Sequence, residues 1–240
     1  MLPSIILGTL VPALFVVGAP TKDGIVKRAD TWGGALSLGP TTSNIIKAST
    51  TIIPGAAPAT QNGELFLWPG MSNGTGNLIQ TTLESWPDNS WCGAVSGQWC
   101  IRASLFGLFP ETPLQQIDGP DAAVSGTDKV LIVYERGPQL DTYSWNWTQT
   151  VTNADTGKYL SSLTHASGPM TGYGTGTECD DQCTGTIAAQ TYKNTQIVLA
   201  SSDTNFGKTL GVSGGTTYSG LSVSSDGKTW TISEINIPKM

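Results

Sequence analysis

The sequence predicts an all-β chain folded as a two-sheet antiparallel β-sandwich, and three observations carry that prediction. Short runs such as Glu64 to Trp68 and Trp99 to Phe106 place two different sets of side chains on alternate faces, the signature of a strand with two different surroundings. Clusters of Gly, Pro, Ser, Thr and Asn, the residues of tight turns, separate these runs. No long stretch repeats at helical spacing, and no internal repeat is visible. At 240 residues, 38% hydrophobic and 12% charged, the chain is long enough for one large core, so a single domain is expected.

In chain order, Leu2 to Val17 is an apolar run closed by Val17-Gly18-Ala19, which reads as a signal peptide over residues 1–19 even without a basic start. A membrane anchor needs about 20 apolar residues, and Pro3 and Pro12 interrupt this run. Residues 20–28 form a short polar propeptide ending in the dibasic Lys27-Arg28, leaving residues 29–240 as a secreted sandwich domain with no membrane in its mature form. Thr31 to Leu38 and Asn44 to Ile53 are the first strands, the second stopped by Pro54-Gly55. Glu64 to Leu83 reads as strand, turn, strand, with Pro69-Gly70 and a Ser/Asn/Gly/Thr cluster between. Glu64, Phe66 and Trp68 share one face and Leu65 and Leu67 the other; in the return strand Leu78, Gln80 and Thr82 oppose Ile79, Thr81 and Leu83.

A loop with Trp86 and Trp91 follows. In Trp99 to Phe106, Cys100, Arg102, Ser104 and Phe106 oppose Trp99, Ile101, Ala103 and Leu105. Leu108 to Pro120 reads as a Pro-rich connection and Val130 to Glu135 as a β-branched strand. Tyr143 to Val151 is a strand whose Trp145 and Trp147 point away from the face of Asn146, and Tyr159 to Thr164 is its hairpin partner. Ser167 to Gly176 reads as a Gly-rich loop leading into a Cys179 to Cys183 loop. Ile187 to Tyr192, Gln196 to Ala200, Leu221 to Ser224 and Thr229 to Ile235 complete the strands.

Export is supported by two further patterns. Asn73-Gly74-Thr75 and Asn146-Trp147-Thr148 are glycosylation acceptors at Asn73 and Asn146. Cys92 with Cys100, and Cys179 with Cys183, are close pairs that read as local disulfides in an oxidising compartment. With one His and no paired CxxC, no metal is expected, and no cofactor is called for. A formal charge of −6 without a basic patch argues against nucleic acid. His165 in a polar segment and four paired Cys leave no Ser-His-Asp or Cys-His machinery.

The order Trp32-Gly33-Gly34, Ile52-Ile53-Pro54, Trp68-Pro69-Gly70-Met71, Ile79-Gln80-Thr81 and Asn153-Ala154-Asp155-Thr156-Gly157-Lys158 resembles the fungal glutamic peptidases, a concanavalin-like β-sandwich (jelly-roll) family. That resemblance implies a catalytic Gln and Glu facing one another across the concave sheet. Gln80 stands where the Gln would be. The family's Ala-Glu-Trp-Ile strand has no counterpart; Thr186-Ile187-Ala188-Ala189-Gln190 takes its place, and Glu178 is expected in the disulfide loop. A peptidase without its base cannot activate water, so the scaffold is expected without the proteolysis.

The aromatic-rich strands, the disulfides, and the Leu65-Phe66-Leu67-Trp68, Asn73-Gly74-Thr75-Gly76 and Gln80 segment are also similar to secreted lectin-like β-sandwich proteins of fungal secondary metabolism. These act as hetero-Diels-Alderases in the biosynthesis of tropolonic sesquiterpenes, and that resemblance implies a hydrophobic small-molecule substrate. Cycloaddition needs a shaped apolar pocket and a donor to a carbonyl; Phe66, Trp68 and Tyr173 are the candidate walls, with Gln80 and Arg102 the candidate catalytic donors. A polysaccharide lyase or lectin would instead use tryptophan platforms with Arg102 or Tyr134. A glycosidase would need two of Glu64, Glu135 and Glu178 at controlled separation.

Overall fold

A computed structural model describes residues 30–74, 77–109 and 112–240. The signal-peptide and propeptide segments, and Thr75 of the first glycosylation triplet, lie outside the described residues. The strands are β1 (Thr31–Trp32), β2 (Ala35–Leu38), β3 (Ile45–Ile53), β4 (Glu64–Ser72), β5 (Leu78–Ser85), β6 (Gln98–Phe109), β7 (Thr112–Ser125) and β8 (Val130–Gln139). They continue as β9 (Trp145–Asn153), β10 (Tyr159–Ser167), β11 (Gly172–Asp180), β12 (Gln190–Leu199), β13 (Gly211–Ser213), β14 (Thr217–Ser219), β15 (Ser222–Val223) and β16 (Thr229–Ile237). Two antiparallel sheets form, β13-β2-β11-β4-β5-β6-β7 with β1 on β11, and β10-β9-β8-β3-β12-β16-β14 with β15 on β16. The fold is a β-sandwich.

The alternation read from the sequence sets which faces meet. Leu65, Leu67 and Met71 of β4, Ile79 and Leu83 of β5, and Trp99, Ile101, Ala103 and Leu105 of β6 are buried. They belong to one apolar core with Ile45, Ala48 and Ile52 of β3, Val130 and Ile132 of β8, and Ile232 and Ile235 of β16. Burying each of the Leu, Ile, Val and Met side chains contributes about 1.5–3 kcal/mol. Trp147 is also core, while Trp145 is half-buried with the Arg136 guanidinium 5.0 Å from its ring centre, so the face of Asn146 is the outer one. Both expected disulfides are present, with Cα–Cα distances of 5.6 Å for Cys92–Cys100 and 5.5 Å for Cys179–Cys183.

Three expectations are corrected. The Pro-rich stretch is a strand, β7, because its place at the sheet edge leaves prolines such as Pro120 without a ladder bond to lose. Segments 187–192 and 196–200 belong largely to one strand, β12, which carries a register shift beside Asn194 at φ 53°. The Gly-rich stretch before Cys179 is the interior strand β11, paired with β4 from Gly172↔Ser72 to Asp180↔Glu64. Glycine in a strand interior often marks a close approach, and β11 has one at Gly176.

Candidate functional site

The outer face of the β11-β4-β5-β6 sheet carries a groove. Phe66 and Trp68 reach it from β4, Leu78, Gln80 and Thr82 from β5, and Phe106 from β6. Gln116 closes it on the β7 side, and Glu178 and Asp180 stand at the β11 end. Strand parity produces this set: each residue is two positions from the next on its own strand and in register with the outward row of the neighbouring strand, as Leu78 is with Phe106 and Phe66 with Glu178. Gln80 is 7% exposed, and among the described residues its amide has no hydrogen-bond partner, so it is presented to the groove.

Trp68 forms the floor. A Cβ on Gly176 would overlap its indole ring, so the ring lies directly against the β11 backbone. In that position its Nε1–H donates to Glu178 Oε2 at 3.2 Å. Glu178 is therefore on a strand facing the groove, in register with Phe66 and Trp32, and the expectation that it lies in the disulfide loop is corrected. Burial, reinforced by Asp180 and only partly offset by the Trp68 bond, pushes the Glu178 carboxyl up to about 8.

Glu178 does not face Gln80. Gln80 pairs with Gly70, and Gly70 with Gly174, so the residue across β4 from Gln80 is a glycine. Glu178 stands at the level of Phe66, four residues along β4 from Gly70, a displacement of about 13 Å at the strand rise. The two polar groups stand on either side of Trp68, and Leu78 and Phe106 extend the groove beyond Gln80.

Two candidates are placed elsewhere. Tyr173 pairs with Met71 and Leu38 and is buried in the core between the sheets, since odd positions of β11 face inward; it is not a groove wall. Arg102 is committed to an ion-pair network. Its Nε and Nη2 reach Glu84 Oε1 and Oε2 at 2.7 and 2.8 Å, its Nη1 reaches Asp118 at 2.9 Å, and Trp91 covers it with its ring centre 4.9 Å away. Glu84 is fully buried and also accepts from Thr82 Oγ1 (2.6 Å) and Trp86 Nε1 (2.9 Å). A guanidinium consumed in this way neutralises Glu84 and is no donor for a ligand.

The residues of the other readings are dispersed. Tyr134 is buried with its hydroxyl donating to the Pro69 carbonyl at 2.7 Å, and Glu135 sits on the opposite sheet in an ion pair with Lys47. His165 is on β10, opposite Trp147. Asn73 follows directly on β4. Among the described residues no cluster of three His, Cys, Asp or Glu is arranged to hold a metal, and no helix is long and apolar enough to cross a membrane. Sequence reasoning missed Phe106, Gln116, Asp180 and the position of Glu178. Phe106 shares the parity of Arg102 in its run, which is the one signal that could have found it.

No protein-family profile and no curated protein sequence matches the chain. Solved structures of glutamic peptidases do. Scytalido-glutamic peptidase with a transition-state analog inhibitor aligns over 89% of this chain and 100% of its own at 14% identity, with a TM-score of 0.52. The same peptidase with a peptide-based transition-state analog aligns over 86% and 98% at 16% identity (TM-score 0.49). SCP-B of the eqolisin family, in complex with the tripeptide Ala-Ile-His, aligns over 89% and 100% at 11% identity (TM-score 0.47). The chain thus has a glutamic-peptidase-like fold.

Two outcomes follow from this geometry. Arg102→Ala leaves the Glu84 charge buried and unpaired, and chemical denaturation should show a loss of about 3–5 kcal/mol; a loss under about 1 kcal/mol would return Arg102 to the ligand donors. For Glu178, the folded chain holds the proton more tightly than the unfolded chain between the ordinary value of 4.5 and about 8. That stabilisation is complete below the ordinary value and lost as pH rises through about 8. Thermal melts across this window should therefore show stability falling with pH in the wild type and a shallower decline in Glu178→Gln; parallel curves would refute the assignment.

Proposed function

We propose that the groove of this secreted chain binds a hydrophobic, carbonyl-bearing small molecule and directs a hetero-Diels–Alder cycloaddition. The reaction joins a quinone-methide-type intermediate to a terpene alkene in secondary metabolism. The observation that carries this reading is the composition of the groove: Phe66, Trp68, Leu78 and Phe106 around the Gln80 amide, which has no partner among the described residues, with Gly174 rather than a carboxylate across β4 from it. Apolar walls exclude water and hold the two partners in reacting geometry, which supplies several kcal/mol of the barrier. The Gln80 amide donates to the carbonyl oxygen as negative charge develops there. No nucleophile, cofactor or proton relay is required, because the intermediate is reactive by itself.

A second reading, a glutamic-type acid peptidase, is favoured by the fold and by the presence of Glu178 on the same groove as Gln80. It asks a carboxyl displaced along the strand from Gln80 to act together with it on one water, and the register of β11 on β4 opposes that.

Product distribution from the quinone methide and alkene, with and without protein, separates the two. The cycloaddition reading expects a faster reaction and an altered stereoisomer ratio, with Gln80→Ala raising the barrier by about 1–3 kcal/mol. Identical rates and ratios in both tubes would refute it. Cleavage of a denatured protein at acid pH, about 3 to 4, lost in Gln80→Ala, would establish the peptidase.

A further inference from the structure

We propose that Gln116 is the acceptor for a ligand hydroxyl, so that the groove selects carbonyl compounds that carry a hydroxyl on the far side of Phe106 from Gln80. The inference rests on the groove being a small-molecule site and names which small molecules it takes. Gln116 lines the groove from β7 and is half-buried. It is in register with Phe106 of β6, which is in register with Leu78 of β5. Gln80 lies in the adjacent row, with Ser104 and Asp118. The two glutamines are therefore two strands and one row apart, about 12 Å between their backbones.

A chain of ion pairs decides how the Gln116 amide is turned. Arg102 holds Glu84 through Nε and Nη2, and its remaining nitrogen, Nη1, holds Asp118 Oδ2 at 2.9 Å. The other oxygen, Asp118 Oδ1, accepts from Gln116 Nε2 at 3.0 Å. A carboxylate in an ion pair has no proton to give, so the side of the amide that meets it must be the NH2. An amide turned the other way would set its carbonyl oxygen against a carboxylate oxygen and lose the bond. With Nε2 fixed on Asp118, the carbonyl oxygen is left to accept, and among the described residues it has no hydrogen-bond partner.

The two amides thus do different work. Gln80 has neither amide group engaged among the described residues and can turn its NH2 to a ligand carbonyl. Gln116 has its NH2 held and offers an oxygen, which a hydroxyl can reach as donor. Phe106 and Leu78 stand beside both, so the part of the ligand between carbonyl and hydroxyl is apolar. Arg102 and Asp118 touch no ligand on this account. They are positioning residues: the network that satisfies the buried Glu84 on one side orients a specificity residue on the other.

The probes are 6-acetyl-2-naphthol, a flat ketone with a hydroxyl at its far end, and 2-acetyl-6-methoxynaphthalene, in which a methyl group replaces the hydroxyl hydrogen. Calorimetric titration of the full mature chain at mildly acidic pH should show the naphthol binding at least about threefold tighter than its methyl ether, the ratio of one net hydrogen bond between neutral groups. Gln116→Leu should remove that preference by weakening the naphthol alone. Asp118→Asn, whose amide gives as well as accepts and so releases Gln116 to turn, should reduce it. Gln80→Ala should weaken both probes alike. A merely structural role for Gln116 or Asp118 would weaken both probes together and leave their ratio in place. Equal affinities in the wild type, or a ratio unchanged in Gln116→Leu or in Asp118→Asn, overturns the inference. If the probes bind equally and both are lost in Phe66→Ala, the groove reading survives without it. If the wild type binds neither, both fall together.

Discussion

The groove depends on one close approach, the Trp68 indole lying flat on the backbone of β11 at Gly176. Any side chain at that position would push the ring off the sheet. With the ring seated, its N–H reaches Glu178, its face becomes the floor between Phe66 and Gln80, and the outer side of the sheet is apolar where an uncovered sheet would be polar. The inner side is fixed independently: Leu65, Leu67 and Met71 hold β4 in the core, so the strand cannot slip by one residue without exposing all three. The core therefore sets the parity, and Gly176 makes the outer row usable.

The same face handles buried acid in two opposite ways. Glu84 is held by a bidentate arginine, a threonine hydroxyl and an indole N–H, and Trp91, next to the Cys92–Cys100 bridge, covers the arginine. Glu178 has one indole donor and a neighbouring carboxyl that raises its pKa. The first arrangement is a structural network. The second sets a carboxyl of raised pKa at the groove, and a strained or costly ionisable group facing a cleft is where function is sought.

Much of this was legible in the chain. Alternation from Glu64 to Trp68 and from Leu78 to Leu83 gave the faces of β4 and β5 correctly, because the aliphatic rows of Leu65 and Leu67 and of Ile79 and Leu83 belong to the core while Glu64 and Gln80 mark the other face. The Cys spacings gave both disulfides. β11 was illegible for a physical reason: the glycines that let Trp68 and neighbouring strands approach closely are the same residues that mark loops. Misreading it put Glu178 in a loop and gave Tyr173 the wrong face. The role of Arg102 was hidden differently, since Glu84 and Asp118 lie on the adjacent strands β5 and β7, and their meeting depends on a register that local pattern does not encode.

The central claim, that glycine at 176 seats Trp68 and through it organises the groove, is tested most directly by Gly176→Ala with the indole N–H signals followed by nuclear magnetic resonance. The account predicts that the Trp68 indole resonance shifts strongly and stops responding to titration of Glu178. The resonances of the core Trp99 and Trp147 should stay in place, showing that the sandwich is intact. A Trp68 resonance unchanged in position and still titrating in the alanine variant would contradict it.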